Sequence, residues 1–201
     1  MKKLLLSTVL VLFAIQLQAQ KPVSRYSMEY LQGTTYKVSV SSEIKNDKFK
    51  YYVDCAPWKV DDNVGMIIES KSLESFREGL RGIESKFTEW TNTAKENDVT
   101  DYDKDFDVKL PSVNCYFKYG SYHYDFNRKP KVYFKVTSDG DCLAILSIRD
   151  LQASDNRYID NKGLFIAFSS VEEIEDFLDA IDPQHAYEKE QSESAKDDLF
   201  N

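Results

Sequence analysis

One pattern of elements occurs twice along the chain, and this repeat restricts the possible folds more than any other sequence feature. Each copy has an alternating hairpin, a continuous apolar run and an amphipathic helix. The copies align at a spacing of 98 residues over the last strand and the helix. The matched pairs are Gly65 with Gly163, Ile68 with Ile166, Ser72 with Ser170, Phe76 with Ile174, Leu80 with Leu178 and Ile83 with Ile181. The pattern predicts a duplicated β-β-β-α unit, although two unrelated strand–helix units would also share part of it.

The first copy begins with a hairpin over residues 36–55, in which apolar and polar residues alternate on both arms. Residues 64–68 form a continuous apolar run, which is typical of a strand buried on both faces. A single apolar stripe from Leu73 to Trp90 then predicts one long helix, with Ser72 placed to cap it.

The second copy repeats this order with a hairpin over residues 132–148 and an apolar run over residues 163–168. Its helix begins at Ser170, where Ser170 and Glu173 have the spacing of a capping box. Candidate strands at 104–110 and 113–119 lie between the copies.

These elements predict an α+β fold with one or two antiparallel sheets and two helices packed on one face, because the helical stripes need an apolar partner. Residues 20–182 are expected to form a single domain of two repeats, at about 24–98 and 102–182. An edge strand is predicted at residues 24–31, and the charged segment 183–201 is predicted to be a flexible tail.

The amino-terminal segment has the layout of a cleaved signal peptide. Lys2 and Lys3 give a positive start, Leu4–Ile15 is apolar except for two hydroxyl residues, and a short polar exit ends at Ala19. The apolar run is shorter than the roughly 20 residues that a bilayer-spanning helix needs. We therefore expect cleavage near Ala19 and a periplasmic or extracellular protein that does not insert into a membrane.

The charge balance disfavours nucleic acids and anionic membranes as partners. Removing residues 1–19 lowers the count of Lys and Arg from 26 to 24 against 34 Asp and Glu, so the formal charge changes from −8 to −10. Binding to phosphate backbones and to anionic lipids relies on cationic side chains. The sequence also lacks a glycine-rich phosphate loop and a Gly-x-Ser-x-Gly elbow, and we expect no cofactor.

Three cysteines, Cys55, Cys115 and Cys142, leave two alternatives open. In an oxidising compartment one disulfide can form in any of three pairings. Alternatively, all three are buried free thiols that pack as small apolar side chains.

Four aspartates alternate with other residues between positions 101 and 107, and they suggest a calcium site, since calcium prefers oxygen ligands. An EF-hand-type loop would need glycine and glutamate where Phe106 and Ser112 stand, so a charged edge strand that resists aggregation explains the pattern better. We expect no metal site there. The four carboxylates are Asp101, Asp103, Asp105 and Asp107.

An aromatic segment between residues 116 and 134 carries the best indication of function. Tyrosines on an open sheet face could stack on sugars or anchor a protein partner, whereas alternate ones could simply face the core. The candidate binding residues are Tyr116, Tyr119, Tyr122, Tyr124 and Tyr133.

The two histidines, His123 and His185, have no metal-ligand spacing. A nucleophile pair of Cys115 with His123 is conceivable but is not favoured by any spacing. No catalytic residue is predicted.

Several short segments resemble a family of small exported bacterial proteins without an assigned function. They are Phe87–Trp90, Thr93–Asn97, Tyr158–Asp160, Gly163–Phe165 and Ser169–Ile174. In topology alone, a doubled sheet-plus-helix unit also resembles the PUR and Whirly single-strand-binding folds. Those folds use basic aromatic faces, so their function does not transfer to an acidic chain.

The sequence therefore predicts an exported, non-enzymatic envelope protein that contacts a protein or a glycan through an aromatic sheet face. The alternative is a small hydrolase that uses carboxylates of segment 101–107 or of the loop at residues 149–162. A third possibility, single-stranded nucleic-acid binding, is disfavoured by the acidity of the chain.

Overall fold

A computed structural model describes residues 21–29, 35–45, 48–59, 63–184 and 187–188. The predicted leader and most of the predicted tail lie outside these residues. The described residues form ten strands and three helices. In chain order they are β1 Lys21–Glu29, β2 Thr35–Lys45, β3 Lys48–Pro57, β4 Val64–Glu69, α1 Ser70–Arg81, α2 Glu84–Glu96, β5 Tyr102–Asp105, β6 Val113–Tyr119, β7 Ser121–Arg128, β8 Lys131–Val136, β9 Cys142–Gln152, β10 Asp160–Phe168 and α3 Val171–Ala180.

The ten strands form one sheet in which every described pair is antiparallel. The first half-sheet contains β1, β2, β3, β4, β6 and β7 in spatial order, and the second half-sheet contains β5, β8, β9 and β10. The halves join where β10 pairs with the end of β3, through Leu164 opposite Pro57 and Phe165 opposite Ala56. The predicted α+β class, with an antiparallel sheet and helices, is confirmed.

The predicted β-β-β-α pattern occurs twice in the structure, and in each copy one further strand precedes it, near the strands predicted separately at 24–31 and 104–110. Strands β1 to β4 form a meander that leads into α1 and α2, and β5, β8, β9 and β10 form a second meander that leads into α3. The hairpin of β6 and β7 is inserted between β5 and β8, and it pairs with β4 instead. This insertion widens the first half-sheet by two strands.

The long predicted helix is divided into α1 and α2 by a bend at Gly82 and Ile83. The amide of Ile83 donates to the carbonyl of Leu80 at 3.1 Å, a tighter turn than that of an α-helix. The predicted stripe is nevertheless buried on both sides of the bend. As a result α2 reaches the second half-sheet, where the rings of Phe87 and Phe134 lie 6.1 Å apart.

Two sequence predictions about element ends are wrong. Helix α1 starts at Ser70 and not after Ser72, because the Ser70 hydroxyl bonds the backbone of Phe49 on β3, while the Ser72 hydroxyl donates to the Glu69 carbonyl at 3.1 Å. The candidate strand 104–110 ends at Asp105. Its continuation turns inward because Phe106 is buried, with its ring 4.9 Å from that of Trp90.

The predicted Ser170 cap of α3 is present, although the Glu173 carboxylate bonds the Ser169 amide and not the Ser170 amide of a capping box. The cap allows a test within the repeat. The Ser170 hydroxyl accepts from the Glu173 amide at 3.3 Å, and the Glu173 carboxylate accepts from the Ser169 amide at 2.5 Å. We expect Ser170→Ala to lower the free energy of unfolding by about 1 kcal/mol. The matched variant Ser72→Ala removes no cap and should cost less than about 0.5 kcal/mol. Urea unfolding of both variants checks this, and equal losses would contradict it.

Candidate functional site

The first half-sheet has an outer face, opposite to the helices, on which aromatic side chains line up across three strands. Alternate residues of a strand point to opposite faces. On β6, Cys115 and Phe117 point into the core, so Tyr116 points outward; on β7, His123 points inward. We define the aromatic row as Tyr52 on β3, Tyr116 on β6, and Tyr122, Tyr124 and Phe126 on β7.

Three side chains of the aromatic row are exposed to solvent. Tyr122 is 51% exposed, Tyr124 42% and Phe126 52%. The rings of Tyr124 and Phe126 are nearly parallel, 6.3 Å apart, and Tyr122 meets Tyr116 edge-on at 6.1 Å. The row continues to Tyr52, whose ring lies 6.5 Å from that of Tyr116. Strand β7 therefore presents a contiguous aromatic surface to solvent.

Tyr116 forms the floor of this surface because it lies over a glycine. Gly65 on β4 is the cross-strand neighbour of Tyr116, and a Cβ atom at position 65 would overlap the Tyr116 ring and the Val53 carbonyl oxygen. The Tyr116 hydroxyl reaches across β4 and donates to Asp54 Oδ1 at 2.6 Å, and Asp54 Oδ2 accepts from Ser39 at 2.7 Å. Burial and the Asp54 carboxylate raise the pKa of Tyr116 far above its ordinary value.

A second tyrosine–carboxylate pair lies beside the first. The Tyr52 hydroxyl donates to Glu43 Oε2 at 2.9 Å. Burial and, to a smaller extent, this hydrogen bond raise the pKa of Tyr52 to about 12. Both tyrosines therefore stay neutral at physiological pH. The outer face offers apolar ring surfaces next to carboxylate acceptors, so a ligand with apolar faces and hydroxyl or amide donors would find both kinds of contact.

The structure brings together three of the five tyrosines chosen from the sequence. Tyr116, Tyr122 and Tyr124 belong to the aromatic row. Tyr119 is exposed at the end of the hairpin and, by strand alternation, lies on the same side as Phe117. Tyr133 is partly buried on β8 in the second half-sheet.

Sequence reasoning did not select Phe126 and Tyr52 as site residues. Phe126 follows Tyr122 and Tyr124 at the same two-residue step, and this spacing could have found it. Tyr52 could not be found in this way, since its proximity to Tyr116 depends on both strands pairing with β4.

The three cysteines are free buried thiols in the structure, which corresponds to the second of the two alternatives. Cys55 and Cys115 lie on the core side of β3 and β6, with β4 between them. Burial raises the pKa of Cys115 to about 12 and also raises that of Cys142. Thiols in this environment are poor nucleophiles at neutral pH.

His123 has different partners from the one considered in the sequence. Phe117, and not Cys115, stands opposite His123 on the neighbouring strand. His123 Nδ1 lies 3.0 Å and 3.2 Å from the two carboxylate oxygens of Asp155, in the loop after β9. Its Nε2 lies 3.4 Å from Ser121 Oγ and 3.3 Å from the Tyr119 carbonyl oxygen. Asp155 lies in the loop at residues 149–162, whose carboxylates the sequence offered for a hydrolase, but nothing in the sequence indicates that this loop approaches His123.

The aspartates of segment 101–107 are all exposed, and Asp103 pairs with Lys135 at 3.1 Å. They lie on or beside the short strand β5, which pairs with β8 alone among the described strands. Within the part of the chain that the structure describes, no group of three or more His, Cys, Asp or Glu side chains is placed to hold a metal ion. The segment behaves as a solvated, charged sheet edge.

Among the described residues, no helix combines the length and the apolar character that crossing a membrane requires. The family resemblance noted in the sequence gains no support from comparison with known proteins. No protein-family model, no curated protein and no solved structure matches the chain.

Proposed function

We propose that the chain is an exported binding protein of the cell envelope, which holds a protein or a glycan against the aromatic row. The observation that carries the proposal is the exposure of Tyr122, Tyr124 and Phe126 on one face of β7. A contiguous exposed apolar surface is typical of an interaction site, and tyrosine is enriched among the residues that dominate binding energy.

The floor of the row is preorganised. Tyr116 is fixed by its hydrogen bond to Asp54 and by close packing on Gly65, so it loses little freedom when a ligand binds. The core side chains of β6 and β7 lie on the other side of the sheet, so removal of the three exposed side chains leaves no cavity in the core and uncovers only the Tyr116 ring. Their exposure is therefore better explained by recognition than by stability.

The chemistry around the row supports a glycan or a peptide over a phosphate polymer. The CH face of a sugar or an apolar side chain can stack on the rings, while hydroxyl or amide donors reach the carboxylates of Glu43 and Asp54. The same carboxylates and the acidic chain repel phosphates. Location in the envelope rests on the leader predicted from Lys2, Lys3 and the apolar run Leu4–Ile15.

A triple variant tests the aromatic row directly. We expect Tyr122→Ser/Tyr124→Ser/Phe126→Ser to weaken binding at least about 30-fold, which corresponds to the loss of one strong contact of about 2 kcal/mol. The chain, as processed by an exporting host, is screened on a glycan array and by crosslinking to solubilised envelope proteins. The dissociation constant of the strongest ligand is then measured by calorimetry for both proteins.

The matched control is Tyr102→Ser/Tyr158→Ser, which removes two exposed tyrosines outside the aromatic row. It should bind as the unmodified protein does, and circular dichroism should show that both variants are folded. If the triple variant retains full affinity, or if neither screen gives a ligand, the proposal is wrong.

A further inference from the structure

We propose that Ser121, His123 and Asp155 form an acyl-transfer site at the tip of the β6–β7 hairpin, and that this site hydrolyses small carboxylic esters. The inference goes beyond the proposed binding function and is independent of it. His123 points to the opposite side of β7 from Tyr122 and Tyr124, so neither site needs the other.

The three side chains stand in the order that nucleophilic catalysis by serine requires: hydroxyl, imidazole, carboxylate. Ser121 Oγ lies 3.4 Å from His123 Nε2, and the carboxylate oxygens of Asp155 lie 3.0 Å and 3.2 Å from His123 Nδ1. A hydroxyl–imidazole distance slightly beyond an ideal hydrogen bond is common before substrate binds. Such a site is recognised by this geometry and not by the sequence positions of its members.

The partners of His123 fix where its protons lie. A carboxylate only accepts hydrogen bonds, so Nδ1 carries the proton that points to Asp155, and in the neutral imidazole Nε2 is then the nitrogen whose lone pair can take the Ser121 proton. The hydrogen bond from His123 lowers the pKa of Asp155, which keeps this carboxyl group ionised at neutral pH. Once Nε2 takes the serine proton, the Tyr119 carbonyl oxygen, 3.3 Å away, can accept from it. Both acceptors then stabilise the imidazolium.

Surrounding contacts hold the imidazole while leaving the hydroxyl accessible. His123 is 7% exposed and packs on Phe117, with ring centroids 5.9 Å apart. The loop that carries Asp155 is attached to β7 by a hydrogen bond from the Ser154 amide to the Tyr124 carbonyl at 2.8 Å. Ser121 itself is exposed beside the turn at Gly120. Hydrolysis of a small ester through an acyl-serine requires a base held in position and a nucleophile that the ester can reach, and both are present.

In the proposed reaction Ser121 Oγ attacks the ester carbonyl carbon and its proton passes to His123 Nε2. The bond from that carbon to the alcohol oxygen breaks, and the alcohol leaves with the proton from Nε2, so the acyl group remains on Ser121. Water then gives a proton to Nε2 and attacks the acyl carbonyl. The bond between the acyl carbon and Ser121 Oγ then breaks, the carboxylic acid leaves, and Nε2 returns the proton to Ser121 Oγ.

A fluorophosphonate probe tests the nucleophile, since attack by Ser121 Oγ would expel fluoride and leave a stable phosphonyl ester. We expect the folded chain to be labelled at Ser121, as located by peptide mass spectrometry, and the denatured chain to remain unlabelled. Ser121→Ala should abolish labelling. The chain with its natural Ser121 should hydrolyse 4-nitrophenyl acetate, and the rate of this hydrolysis should fall in proportion to the fraction of Ser121 that is labelled.

Asp155→Asn tests the positioning residue without disturbing the core, because Asp155 is exposed. It should slow labelling at least about tenfold and change its pH profile, since the asparagine no longer holds the proton on Nδ1. The matched variant Asp160→Asn, at an exposed position near the same loop, should label as the unmodified protein does. Absence of label at Ser121 in the folded protein, or equal rates for both asparagine variants, would overturn the proposal.

Discussion

Replacing Gly163 by alanine is expected to lower the free energy of unfolding by at least about 3 kcal/mol, because position 163 excludes a side chain for two reasons. Its φ angle of +101° is unfavourable for any residue with a Cβ atom. A Cβ atom there would also overlap the carbonyl oxygen of Ile148 and approach Arg149 Cα to 2.8 Å. Both are backbone atoms of β9 and cannot move without breaking the pairing with β10.

The matched control for this prediction is Gly140→Ala. Gly140 also has a positive φ angle, +86°, but a Cβ atom at that position would meet nothing within 4 Å. The alanine there should cost only about 1–2 kcal/mol, the strain of the backbone conformation itself. Urea unfolding measures the loss in free energy of unfolding for each variant, and the m-value should stay unchanged in both. Similar losses at the two positions would show that the β9 backbone does not confine residue 163.

Phe134→Ala is expected to cost about 3–5 kcal/mol, the usual range for removing a buried aromatic ring. Phe134 is 2% exposed, and its ring lies 5.7 Å from that of Trp90 and 6.4 Å from that of Phe106. Together with Phe87 these rings attach α2 to the second half-sheet. The variant should therefore unfold at lower urea concentration and weaken the contact between the bent helix and β8.

Phe126→Ala is the control, since it removes the same side chain from the exposed aromatic row. We expect a loss of less than about 1 kcal/mol, because no cavity forms at the surface. A loss as large as that of Phe134→Ala would mean that the aromatic row is part of the stabilising core, which would remove the main argument for a binding surface.

Local patterns in the sequence are sufficient to predict most of the elements. Alternation on both arms predicts β2 and β3, and the apolar stripe predicts α1 and α2, because each pattern reports which face of an element is buried. Gly65 and Gly163 occupy matching positions in the two copies, but only the structure shows that each glycine is required for a different reason. Gly163 provides a positive φ angle, whereas Gly65 leaves room for the Tyr116 ring.

The candidate sites depend on contacts between distant segments, which periodicity does not encode. Tyr52 approaches Tyr116 because β3 and β6 both pair with β4, and His123 meets Asp155 because the loop after β9 returns to β7. The sequence pointed to the aromatic segment but could not give the register that separates Tyr119 from the row. It also gave no indication that Phe106 leaves the strand to fill the space beside Trp90.

Nitration of tyrosines with tetranitromethane, with and without the strongest ligand from the screens, tests the binding surface most directly. In the free protein, Tyr122 and Tyr124 should react faster than Tyr116, which is 7% exposed. Saturating ligand should protect Tyr122 and Tyr124 and leave Tyr102 and Tyr158 as reactive as before. Rapid nitration of Tyr116 in the free protein, or unchanged reactivity of Tyr122 and Tyr124 in the complex, would contradict the account.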